Sequence, residues 1–176
     1  MITLDRLNAA DQTAFVSAVG DVFEHAPWVA ERAYTAARPF ASIAALHEAM
    51  MQVVRNAPRE QQLAFLRGHP ELAGKVARAG AMTADSKAEQ GGLGLDRLSD
   101  TDFARFERAN TAYAEKFGFP FIVCVRLHKS AESILAAFEQ RVGNHPEAEF
   151  AAALTEVGHI TRLRLEQRLD PPTSRK

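Results

Sequence analysis

Cysteine is almost missing from this sequence. Cys124 is the one thiol in 176 residues. No disulfide can form within the chain, and a reducing compartment is the natural expectation. Long apolar runs are missing too. Nowhere do 18 apolar residues follow one another, so no membrane span is expected. Excess charge of either sign is absent: the net charge is −1, and no Lys/Arg run marks a nucleic-acid surface. The sequence has no Gly-rich phosphate loop, no Gly-x-Ser-x-Gly elbow and no dinucleotide fingerprint. Nor is there a Cys pair or a His-x-x-x-His, and His25, His47, His128 and His159 share no tight ligand spacing. No metal site is expected.

What is present is an ordinary globular composition, with 47% apolar and 24% charged residues. A chain of this size fits one domain that buries about 70% of its unfolded surface. Alanine is abundant and β-branched runs are rare, which favours helix. Apolar residues recur at threes and fours in most segments. The expectation is an all-α, single-domain bundle of about seven to nine helices over residues 1–170, with 171–176 as a frayed tail. The first dozen residues lack the basic and apolar regions of a signal peptide, and the C-terminal tripeptide is not a peroxisomal signal. A cytoplasmic protein is expected.

Along the chain, helices are predicted at 11–23, at 27–37 with Pro27 as first residue, and at 42–57 with Ser42 as N-cap. Pro58 opens a short helix ending at Gly68, read as a left-handed C′ residue. One or two helical turns follow at 83–90, closed by Gly91-Gly92. A long helix runs from Thr101 or Asp102 to Phe117 and is capped by Gly118. Ser130 caps another to about Val142, and the last covers 147–169. Phe119 to Val125 is the one strand-like run. A lone strand has no partner for its backbone, so it reads as an extended segment packed between helices, with spare N–H and C=O groups open to a ligand.

Several side chains are candidates for chemistry. Ser86 and Glu89 stand three apart, so in a helix they share a face, with Gln90 beside them. The same spacing also serves as a helix-start device, with the glutamate folding back. His69 sits between Gly68 and Pro70. A following proline disfavours helix at His69, so its imidazole leaves from a junction. Histidine exchanges protons near neutral pH, but a turn histidine is the plainer reading. His145-Pro146 reads as solvated. Arg162 and Arg164 lie in the last helix, and either can grip a carboxylate or remain a solvated or ion-paired surface group. Cys124, in an apolar run, reads as packing rather than a nucleophile.

Taken in order, these pieces resemble one family, the 2-oxo-4-hydroxy-4-carboxy-5-ureidoimidazoline (OHCU) decarboxylases, from about Phe15 to Leu169. The pieces are Ala26-Pro27-Trp28-Val29-Ala30-Glu31, Arg38-Pro39-Phe40, Gly68-His69-Pro70-Glu71-Leu72 and Met82 to Gln90. After them come Gly94-Leu95, Asn110, Tyr113, Lys116 to Ile122, Arg141-Val142-Gly143-Asn144, Glu149 and Ile160 to Leu165. Each is weak alone; their order and spacing are specific. Gly68 stands where alanine is commoner and Glu71 where aspartate is. Leu127 replaces a frequent glycine, so the loop from Leu127 to Ser130 is expected to differ locally.

The resemblance implies an all-helical homodimer that uses no cofactor and no metal. It would carry out the last step from urate to (S)-allantoin, after urate oxidation and hydroxyisourate hydrolysis, with functional coupling to hydroxyisourate hydrolase. It implies His69 and Glu89 as catalytic residues, with an arginine that is Arg164 or Arg162. It also implies substrate contacts at Pro70, at Ser86, Lys87, Ala88, Glu89 and Gln90, and along Phe121, Ile122, Val123, Cys124 and Val125. A helical scaffold module and a hydrolase of a related ureide are the competing readings.

Overall fold

The computed structural model describes residues 2–35, 38–74 and 82–171. Among them the chain forms nine α-helices: α1 (Leu4–Ala9), α2 (Gln12–Val19), α3 (Pro27–Tyr34), α4 (Ile43–Arg55), α5 (Arg59–Arg67), α6 (Ala84–Gly92), α7 (Asp100–Phe117), α8 (Ala131–Val142) and α9 (Pro146–Arg168). Among the described residues a 3-10 turn covers Val125–Leu127. The all-α expectation is met. Two strands of two residues each, β1 (Ile2–Thr3) and β2 (Leu169–Asp170), pair in parallel, Ile2 with Leu169 and Thr3 with Asp170. None of the described helices is long and apolar enough to cross a membrane. The expected end of the second helix at Ala36 and Ala37, and residues 172–176 of the expected tail, lie outside the described residues.

Helix starts follow local chemistry. Thr3, Asp11, Ser42, Thr83, Ser99 and Ser130 each accept a backbone N–H three residues on. Each thereby satisfies one of the donors that a helix start leaves open. Pro27 begins α3 with its fixed φ and no N–H to lose. Three expectations are corrected. The helix α1 and the two strands were not foreseen, because six residues give too short a window for helical period to stand out. The helix expected to reach residue 23 stops at Val19, with Gly20 as its C-cap. Gly68 is not left-handed: the described glycines with positive φ are Gly94 and Gly118. The His69 N–H instead turns back to the Leu66 carbonyl at 3.2 Å.

The backbone divides into two compact units, one of residues 1–65 and 161–176, the other Leu66–Ile160. In the first, α3 packs against α2 and α4 over a core that includes Phe15, Val19, Phe23, Val29, Leu46, Met50 and Val54. Its early chain is tied by polar contacts. Asn8 and Phe40 exchange side-chain and backbone hydrogen bonds at 2.8 and 2.9 Å. Arg38 donates to the carbonyls of Asn8 and Ala10, capping the end of α1, while its guanidinium lies over the Tyr34 ring at 4.2 Å.

The second unit is built on aromatic rings from α7, α8 and the segment after α7. Tyr113 is fully buried and meets Phe121 and Phe138 edge-on at 5.2 and 5.9 Å, and those two rings stack at 3.7 Å. Offset and edge-on pairs add about 0.5–1.5 kcal/mol each beyond burial. Buried beside them is Glu149. Its carboxylate accepts from the Tyr113 hydroxyl, from Arg141 at 2.5 and 2.9 Å and from Asn144 at 2.7 Å. Burial first, then the hydrogen bond to Glu149 and its charge, push the Tyr113 hydroxyl far above the ordinary phenol range.

Gly118 closes α7 at φ 76°, and an added Cβ would meet only the Arg67 guanidinium at an ordinary 3.5 Å. The cost of a side chain there is therefore torsional. Gly118→Ala is expected to lose about 1 kcal/mol in urea unfolding. Arg141→Met is expected to cost about 3–5 kcal/mol, because it strands a carboxylate with no solvent exposure. Adding Glu149→Gln to the same chain should restore part of that loss in the same measurement.

Candidate active site

His69 stands at the start of a short loop after α5, half-buried, with Pro70 half-buried beside it. The loop is held from two helices. Asn110 of α7 donates to the Leu72 carbonyl at 2.9 Å. Gln90 of α6 accepts the Ala73 N–H at 3.0 Å and approaches the Glu71 carbonyl at 3.4 Å. Ala73 is fully buried with φ 52°, a conformation that costs a residue with a Cβ roughly 1–2 kcal/mol. Such strain persists only where the surroundings over-determine it. Here the two amide side chains do so, directly after the His-Pro pair.

The N-cap of α6 is Thr83, whose hydroxyl accepts the Ser86 N–H at 3.3 Å. The helix-start reading of Ser86-x-x-Glu89 is thereby corrected, since Ser86 is already in the first turn and Glu89 in the second. The helix also runs through Gly91 and Gly92 instead of stopping before them. With about 100° between successive residues, Ser86, Glu89 and Gln90 share a face. Ser86 and Gln90 are buried and Glu89 is half-buried. Lys87 and Ala88 fall on the opposite face and are exposed, so the structure does not bring their side chains to the other candidates.

Pro120 to Cys124 forms neither helix nor strand, and Cys124, at its end, is extended. Phe121 to Val125 are buried. The expectation of open backbone groups needs correction at four of them, since the Cys124 and Val125 carbonyls accept the Leu127 and His128 N–H groups at 2.9 and 3.0 Å and two more are taken by side chains. The Cys124 N–H is accepted by Glu156 at 2.7 Å, and the Ile122 carbonyl takes Arg141 Nη1–H at 2.7 Å. The 3-10 turn that follows packs against α6. Burial raises the Cys124 thiol above its usual range, and the carboxylates of Glu156 and Glu89 push it further in the same direction. Cys124 thus stays a protonated packing group at neutral pH. Leu127, in the family's glycine position, is 58% exposed.

Arg164 and Arg162 belong to the other unit. The Arg162 side chain is 51% exposed, 4.0 Å from Glu166. That of Arg164 is 4% exposed and paired at 2.9 Å with the fully buried Glu24, with a further bond to the Val22 carbonyl. Of the two, Arg164 is the one that the fold holds in a single place. His145 is exposed, as expected.

Sequence reasoning did not single out Glu156 as a site residue, nor Asn110, Arg141 and Glu149 as supports. The last three stand among the quoted family pieces, which was the signal available for them. Glu156 had none, because a lone glutamate in an amphipathic helix looks like any solvated one.

A family model described as OHCU decarboxylase matches residues 8–166. The chain is 44% identical to the 2-oxo-4-hydroxy-4-carboxy-5-ureidoimidazoline decarboxylase of Haloferax volcanii, over 95% of this chain and 96% of the relative. It is 39% identical to the uric acid degradation bifunctional protein PucL of Bacillus subtilis, over 94% of this chain and 32% of that longer protein. Among solved structures, (S)-allantoin synthase aligns with a TM-score of 0.73 at 29% identity, over 96% of this chain and about half, 55%, of the other. The family match runs through both units, and the chain belongs to the OHCU decarboxylase family.

Proposed function

We propose that this protein decarboxylates 2-oxo-4-hydroxy-4-carboxy-5-ureidoimidazoline to (S)-allantoin. One observation carries the residue assignment. Gln90 binds the loop that follows His69-Pro70 to the same helix that bears Ser86 and Glu89, so a proton-exchanging group and a carboxylate are held by one scaffold.

The substrate carries its carboxylate on a carbon next to a C=N bond. When the C–C bond to the departing CO2 breaks, the electron pair passes into that C=N. The substrate is its own electron sink: the carboxyl-bearing carbon becomes an enol joined to the ureido-bearing carbon, the enol hydroxyl loses its proton as it becomes the carbonyl, and protons go to the ring nitrogen and the ureido-bearing carbon, a net uptake of one. The protein's tasks are to orient the substrate, stabilise charge and deliver the proton to that ureido-bearing carbon. His69 is the general acid/base. Glu89 orients His69 or holds the ureido group. Ser86 and the backbone from Phe121 to Val125 bind the ring and urea, while Gln90 acts by holding the histidine loop. Proton return to one face sets the (S) configuration. Arg164 orients an anionic group, a role supported by the family resemblance and by its burial against Glu24 within its own unit. Residues 1–170 are read as one OHCU decarboxylase-like domain, which the reach of the family match supports. A homodimer working in the cytoplasm beside hydroxyisourate hydrolase completes the proposal.

The test is circular dichroism of the product as urate is oxidised in the presence of hydroxyisourate hydrolase, with and without this protein. Protein-dependent, rapid growth of the (S)-allantoin signal is expected; racemic product at the uncatalysed rate from folded protein would overturn the proposal. His69→Asn is expected to lower kcat at least about a hundredfold, and near-normal turnover would remove His69 from proton transfer. Arg164→Met should raise KM by about tenfold or more, while Arg162→Met should leave both constants within about twofold. The reverse pattern would reassign the arginine.

A further inference from the structure

A chain that crosses a protein with no strand beside it must satisfy its backbone N–H and C=O groups some other way. The segment from Pro120 to Cys124 does so with side chains from two helices. Arg141 of α8 donates to the Ile122 carbonyl, and Glu156 of α9 accepts the Cys124 N–H, both at 2.7 Å. Each bond carries a formal charge on its side-chain partner, which makes it stronger than a neutral one. Arg141 is itself anchored, by Glu149 at 2.5 Å and by the Phe121 ring at 4.5 Å from its guanidinium carbon. Glu156 has no other hydrogen-bond or ion-pair partner among the described residues. Its carboxylate is dedicated to one backbone N–H.

In an extended chain the N–H and C=O groups of residues two apart leave along the same edge, and those of the residue between them along the other. Ile122 and Cys124 therefore present one edge to Arg141 and Glu156, and Val123 presents the opposite one. The described residues form no hydrogen bond with the Val123 N–H or C=O. We infer that Arg141 and Glu156 are positioning residues that stand in for a missing strand, clamping one edge of the segment so that the Val123 N–H and C=O are turned toward the substrate. A ureido group has N–H donors beside a C=O acceptor and matches such an edge as a neighbouring strand would. This inference rests on the decarboxylase reading above. The 3-10 turn that continues the segment packs against α6, the helix whose face bears Ser86 and Glu89.

The experiment compares wild type, Glu156→Gln and Glu156→Ala by steady-state kinetics, by amide hydrogen exchange over residues 119–127, and by thermal melts that establish folding. The glutamine oxygen can still accept the Cys124 N–H, so E156Q should stay within about threefold of wild-type KM and retain slow exchange. E156A should raise KM by about tenfold, the change expected for one hydrogen bond to a charged group. Its kcat should move less than about threefold, the pattern of lost binding without lost chemistry, and the segment should exchange faster. Wild-type KM and exchange in E156A would overturn the clamp. A kcat collapse in E156Q as deep as in E156A would assign Glu156 to proton transfer and overturn the positioning role. A wild type that does not turn the substrate over would sink the decarboxylase reading, and the Val123 assignment with it, before any variant is made.

Discussion

A single buried carboxylate organises the second unit. Glu149 has no exposure to water, so its charge must be answered by protein groups, and Arg141, Tyr113 and Asn144 answer it. Removing a charge from water costs several kcal/mol, and close pairing with saturated hydrogen bonding offsets it. Because the guanidinium is a planar fork with five donors, satisfying Glu149 leaves Nη1 of Arg141 available for the Ile122 carbonyl. The extended segment, the rings of Phe121 and Phe138 and the end of α8 are all held through that fork. The polar centre makes a unique arrangement out of aromatic packing that apolar contact alone would specify loosely.

The same logic recurs at smaller scale around the histidine. A loop that departs from helical geometry exposes backbone groups, and two buried amide side chains, Gln90 and Asn110, take them up. They hold Ala73 in a left-handed conformation that an alanine does not choose for itself. In the other unit, the buried Arg164 is matched by the buried Glu24, and Arg38 gathers the carbonyls at the end of α1. In each case a buried or half-buried polar side chain does what a neighbouring strand or a longer helix does elsewhere. This is why a nearly all-helical chain can contain non-helical segments that carry its candidate chemistry.

Much of this was legible in the residues. Ser42, Ser130 and Pro27 marked helix starts, Gly118 marked a left-handed stop, and the apolar spacing marked the helices between them. These are local signals, because a cap or a fixed φ acts within four residues of itself. Where a second local device overrode the first, the reading failed. Thr83 took the cap that the Ser86/Glu89 spacing had suggested, and the turn from His69 to Leu66 closed α5 without a left-handed Gly68. The candidate residues were legible only in part. Spacing placed Ser86, Glu89 and Gln90 on one face, and the family resemblance picked out His69 and an arginine, but neither could say that Gln90 serves the loop.

By itself, then, the sequence determined the helical class, most helix starts, the absence of a disulfide within these residues and the family. These follow from short-range hydrogen bonding, apolar period and ordered motifs. Tertiary structure alone buried Arg164 against Glu24 while leaving Arg162 half-exposed, committed Glu156 to the Cys124 N–H, and closed the Ile122 and Cys124 edge of the segment. Each of those depends on burial or on a partner distant in the chain. The physical cost of leaving a charge or a backbone group unsatisfied exists only once the fold has removed water from around it.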